Sequence, residues 1–82
     1  MRVKGRYFRV FGKDKTGKYE YIIKGVRQDS IHKERGYVYL EAIVLDGKNV
    51  ITTVGKKYTF VVKMDGSDWE ELDKKKIFAY IL

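Results

Sequence analysis

Apolar and polar positions alternate along most of this chain, and Gly, Asp, Asn and Lys break the alternation at short intervals. A period of two is the signature of strands with one face toward a core. Residues 2–11 predict a first strand. Its neighbouring aromatics Tyr7 and Phe8, followed by Val10 and Phe11, interrupt strict alternation and point to a bulge or a strong twist. A polar turn, GKDKTGK, follows at 12–18. The next strand is expected at 19–27, with Tyr19, Tyr21 and Ile23 on one face and Ile22 and Val26 on the other.

Residues 28–36 read as a charged connection, a loop or a single helical turn. The strongest strand pattern lies at 37–45. Val38, Leu40, Ala42 and Val44 alternate there with Tyr39, Ile43 and Leu45, so both faces are apolar, as in a central strand. Asp46-Gly47 predicts a tight hairpin turn. A short β-branched strand is expected at 49–54, a turn at Gly55, and an alternating strand at 57–64 with Tyr58, Phe60 and Val62.

Ser67-Asp68-Trp69-Glu70 matches a capping box, which predicts a short helix over 68–75 with Trp69 and Leu72 turned inward. Its acidic start and the lysines Lys74, Lys75 and Lys76 at its end suit the helix dipole. A last strand is expected at 77–82. This order predicts a mostly β fold, a single domain over 1–82. It would be a small SH3-like (or OB-like) barrel of five to six strands with one short helix before the last strand. The SH3-like form is favoured, because an OB-fold normally places its helix between its third and fourth strands.

Composition narrows the setting. The 82 residues contain no cysteine, which removes disulfides and thiolate metal sites and favours a reducing, cytoplasmic compartment. The first eleven residues lack the apolar stretch of a signal peptide. The longest apolar stretches, 42–45 and 77–82, fall far short of the ~20 residues of a membrane span. Charged residues form 35% of the chain, and Gln28 and Asn49 are its sole side-chain amides, a bias of hyperthermophile proteins.

The net charge of +7 is unevenly placed. Arg2, Lys4, Arg6, Arg9, Lys13, Lys15 and Lys18 face a single acid, Asp14, within the first 18 residues, whereas Asp65 to Asp73 is acidic. Such asymmetry predicts a directed electrostatic face.

Catalytic chemistry finds little support. His32, the lone histidine, lies in a charged stretch beside Ser30, and a nucleophile needs a base and an orienting group converging in space. The acidic run 65–71 lacks EF-hand ligand spacing. Gly12 to Lys18 is no phosphate-binding loop, because Tyr19 stands where Ser or Thr is required.

The cations and aromatics interleaved in the first strand point instead to nucleic acid. Aromatic faces stack on unpaired bases, and lysines and arginines neutralise phosphates. The expected contact residues are Arg2, Lys4, Arg6, Tyr7, Arg9, Lys13, Lys15 and Lys18. No helix is long enough to read a major groove. The expected partner is therefore the phosphate backbone of structured RNA, ahead of duplex DNA, with no metal, cofactor or enzymatic activity. The alternative is a protein-protein interaction module, with Trp69 and its neighbouring acids as a peptide groove, or a small inhibitor or accessory subunit.

Overall fold

The computed structural model describes residues 2–48 and 54–81. Its five strands are β1 (Tyr7–Asp14), β2 (Gly17–His32), β3 (Tyr37–Lys48), β4 (Lys57–Lys63) and β5 (Trp69–Leu72), and one helix follows, α1 (Lys74–Ile81). They form one antiparallel sheet in the order β4-β3-β2-β1-β5. Among the described residues the edge strands β4 and β5 do not pair with each other, so the sheet is open.

The sheet is nevertheless strongly bent. At ~3.3 Å per residue the 16 residues of β2 would run about 50 Å if straight. The longest dimension of the molecule is 38 Å. The bend is placed by three register shifts between β2 and β3, at Ile22/Ile23, Gly25/Arg27 and Gln28/Ser30. The β1–β2 pairing, where the adjacent aromatics point to a bulge, runs without a shift.

Bending gives the sheet a concave face that holds the main core. Phe8, Val10, Ile23, Leu40, Ala42, Val44, Phe60 and Val62 are buried there, joined by Val3 and edged by Tyr21, Tyr58 and Trp69. Phe8 meets Trp69 edge-on at 5.8 Å, and Tyr21 meets Phe60 at 5.1 Å, so both ends of the strand order reach one core. Side chains of the β4–β5 connection hold the edges near each other. Asp68 Oδ1 accepts the Lys63 N–H at 2.9 Å, and the Trp69 indole N–H donates to the Lys63 carbonyl at 2.7 Å.

On the convex face α1 covers Ile22 and Leu72 with Ile77, and Tyr7, Leu45 and Tyr80 pack around them. The middle of the sheet is thus covered on both sides. This explains why the adjacent Ile22 and Ile23 are both buried.

Several expectations are corrected. The helix does not precede the last strand. Residues 69–72 form β5, the helix occupies 74–81, and no strand lies at 77–82 among the described residues. Ser67 does not cap a helix. Its N–H donates to Asp65 Oδ1, and Asp73 is the cap, its Oδ1 accepting the Lys76 N–H at 2.8 Å. The reason is tertiary: as strand residues, Glu70 and Glu71 reach Arg9 of the neighbouring β1 and Arg6 just before it, contacts that a helix at 68–75 would forgo. Lys74, Lys75 and Lys76 therefore sit in the first turn of α1, against the helix dipole.

Asp46-Gly47 is likewise no turn. β3 continues through both residues, pairing Asp46 with Ile22 and Gly47 with Tyr21. The strand expected at 49–54 falls largely outside the described residues, and Val54 lies in a turn. The connection expected at 28–36 is mostly strand, since β2 runs to His32.

Candidate nucleic-acid interface

The eight residues singled out from the sequence divide along β1. Arg2, Lys4 and Arg6 lie in or beside a turn before the strand, in which the Arg6 N–H donates to the Val3 carbonyl. Arg2 and Lys4 are exposed, and Arg6 Nη1 pairs with Glu71 Oε1 at 3.1 Å on the surface. Tyr7 is half-buried against the α1 cluster, with Lys24 Nζ 5.9 Å from its ring centre. Lys13, Lys15 and Lys18 lie at the other end, around the β1–β2 hairpin turn, roughly 20 Å along the strand from Tyr7.

Arg9 stands between the two groups. Its Nε donates to Glu70 Oε1 and its Nη1 to Glu20 Oε2, both at 3.0 Å, so the guanidinium bridges β5 and β2. Its side chain is 23% exposed, and its central carbon sits 4.0 Å over the Phe11 ring. Burial disfavours its charge, but the two carboxylates outweigh that and push its pKa above the ordinary value. The guanidinium is thus fixed between two carboxylates and the face of the Phe11 ring.

The hairpin end forms a shallow groove lined by Arg9, Phe11, Gly12, Lys13, Lys18, Tyr19, Glu20 and Lys48. Register explains the assembly. Lys13 lies directly opposite Lys18, Phe11 opposite Glu20, and Glu20 opposite Lys48. Phe11, Lys13, Lys18 and Glu20 therefore share the convex face. Gly12, opposite Tyr19, provides the room on the other face. A Cβ there would overlap the Tyr19 ring and hydroxyl. Tyr19 in turn meets Tyr21 edge-on at 6.0 Å, and burial, followed by Asp68, raises its pKa.

Both acids at this end of the hairpin are engaged by neighbours, Glu20 within the groove and Asp14 in the turn. Glu20 is held by Arg9. Asp14 Oδ1 folds into the turn and accepts from the Thr16 hydroxyl at 2.7 Å and the Thr16 N–H at 2.8 Å.

No known protein family, curated protein or solved structure matches this chain. The site therefore rests on its own geometry. Five of its lining residues, Phe11, Gly12, Tyr19, Glu20 and Lys48, lie outside the eight residues expected from the sequence. Phe11 was visible in the basic run. Lys48 was hidden, because it reaches the groove only when β3 continues past Asp46-Gly47.

The other candidate chemistry stays dispersed. His32 is exposed with its ring 4.9 Å from Tyr39, and Ser30 lies opposite Tyr39. Among the described residues no group of three or more His, Asp or Glu is placed to hold a metal ion, and no helix is long and apolar enough to cross a membrane.

The turn carries a pH dependence. The hydrogen bond from the Thr16 hydroxyl, then that from its N–H, holds the Asp14 carboxyl below its ordinary value of 3.8. A depressed carboxyl stabilises the fold above its unfolded pKa and loses that contribution as pH falls through the folded one. Glu41, lowered first by Lys57, and Asp65, lowered first by Ser67, act with the same sign. The melting temperature is expected to fall as pH drops from about 5 to about 3, and Asp14→Asn to flatten part of that fall. An unchanged slope in Asp14→Asn would remove Asp14 from this account.

Proposed function

We propose that this protein binds nucleic acid without catalysing a reaction, using the β1–β2 hairpin end to contact the phosphate backbone of RNA ahead of DNA. One observation carries the reading. Lys13 and Lys18 face each other directly across the hairpin and share a groove with Phe11 and Lys48, and Glu20, the one acid among its lining residues, is paired with Arg9. Like charges directly opposite on a sheet are destabilising, and a polyanion that bridges them reverses that cost. The small bent sheet would serve as the SH3-like scaffold for this face.

Trp69 speaks against the peptide-groove alternative, because its indole N–H is already bonded to the Lys63 carbonyl and its ring packs on Phe8. A protein partner keeps one supporting observation: Tyr37 and Val61 are exposed on the convex face, away from α1.

Fluorescence anisotropy with labelled RNA tests the reading. If three lysines each contact a phosphate of a single strand, affinity falls with a log–log salt slope of about −2, roughly 15-fold between about 50 and 200 mM salt. The triple variant Lys13→Gln, Lys18→Gln, Lys48→Gln is expected to lose most of that slope. No binding by the wild-type protein at the lower salt would overturn the proposal and leave the +7 charge as a solubility feature.

A further inference from the structure

The hairpin groove contains more than cations, and its extra component distinguishes the forms that a nucleic acid can present. Phe11 lines it as a half-buried ring on the same face as Lys13 and Lys18. One side of that ring is covered by the Arg9 guanidinium at 4.0 Å, and Arg9 is tied to Glu20 and Glu70 at 3.0 Å each. The ring is therefore held from behind by a cation that cannot swing away without breaking two ion pairs. A surface phenylalanine serving only to fill the convex face needs no such support. Ile22, Leu72 and Ile77 already cluster under α1 without it.

The groove is shallow and open, with a volume of about 510 Å³, within the range of small-molecule sites. In an RNA duplex the base faces are stacked and paired, and the surface offers phosphates and 2′-hydroxyls to a binding protein. Such a ligand would use the lysines and leave the ring untouched. An unpaired base, splayed from a loop, bulge or single strand, presents a free π-face and two flanking phosphates at once. Aromatic rings beside cations are the usual means of holding it.

On the reading that the hairpin end binds nucleic acid, we infer that the groove takes one unpaired base stacked on Phe11, with the adjoining phosphates on Lys13, Lys18 and Lys48. Single-stranded segments of RNA are the ligand, and fully paired RNA is not. Arg9 acts through Phe11 as a positioning residue and does not itself contact phosphate.

The test compares three labelled probes at low salt: a ten-nucleotide oligouridylate, an abasic strand of the same length and charge, and a ten-base-pair RNA duplex. The wild-type protein is expected to bind oligouridylate at least about tenfold more tightly than either of the others, in line with base–aromatic stacking strengths. Phe11→Leu is expected to remove that preference by lowering oligouridylate affinity about five- to twentyfold while leaving the abasic strand unchanged. Phe11→Tyr, which keeps a ring, retains the preference.

Equal binding of oligouridylate and the abasic strand by the wild-type protein would overturn the inference, and so would tighter binding of the duplex. Either result leaves the backbone-binding reading intact. Failure of all three probes to bind would instead remove that reading and this one with it. The wild-type comparison needs no variant, so the outcome does not depend on how Phe11→Leu folds.

Discussion

Gly25→Ala is expected to destabilise the protein more than any other single-methyl addition to the sheet. Gly25 lies in β2 at the register shift between Gly25 and Arg27, opposite Ala42, which is fully buried. The segment before β1 crosses the sheet there. The Gly5 N–H donates to the Gly25 carbonyl at 2.9 Å, and the Gly25 N–H donates to the Arg6 carbonyl at 2.8 Å. These bonds seat Val3, 3% exposed, in the core.

A Cβ on Gly25 would overlap both the Val3 carbonyl oxygen and its Cγ1. The first of these is backbone and cannot rotate aside. Relief requires lifting residues 3–6 off β2, which breaks both hydrogen bonds and uncovers Val3. Overpacking of this kind costs about 2–3 kcal/mol, which for a domain of this size lowers the melting temperature by roughly 10–20 °C. Adding Val3→Ala to the variant relieves the Cγ1 overlap alone and is expected to restore little. A melting temperature for Gly25→Ala within about 3 °C of wild type would show that the crossing is not tightly seated.

The second large effect is expected at Arg9. Arg9→Leu removes the cation between Glu20 and Glu70 and leaves two carboxylates without it on the two strands that flank β1, with Glu20 21% exposed. Removing one partner of a buried ion pair costs several kcal/mol. Glu70 is 42% exposed, so water takes up part of that cost, and about 1–2 kcal/mol is expected here. Arg9→Lys is expected to recover only part of the loss, because an ammonium is a point charge and cannot span two carboxylates while lying flat on Phe11.

Combining Arg9→Leu with Glu20→Gln and Glu70→Gln is expected to recover most of it, since no like charges then remain. Chemical denaturation of the four proteins measures this. Equal stability of Arg9→Leu and wild type would mean that the bridge is a surface pair of little weight. The same series tests the proposed stacking site, because loss of Arg9 removes the support behind Phe11 and is expected to weaken oligouridylate binding.

Strands with one buried face were legible from alternation. Val38, Leu40, Ala42 and Val44 are the buried row of β3, and Tyr21 and Ile23 share the concave face of β2. Local reasoning failed at the C-terminal third. The capping signature at Ser67 and the β-branched and aromatic residues at 77–82 both have correct local chemistry, yet each lost to a contact distant in sequence. Glu70 and Glu71 pair with Arg9 and Arg6 some sixty residues away, and Ile77 covers Ile22. A local hydrogen bond or propensity contributes about 1 kcal/mol, and a pair of ion bridges with a buried apolar patch exceeds it.

The sequence by itself determined that this is a cysteine-free, mostly β chain with a basic first hairpin, because side-chain period, cysteine count and charge are properties of the chain alone. Tertiary structure decided which cations act together. Register turned Arg6 and Arg9 toward carboxylates, placed Lys18 across from Lys13, and carried Lys48 past an apparent turn into the same groove. Charge along a chain fixes how many cations there are. Strand pairing fixes which of them meet an acid across the sheet and which are brought into one groove.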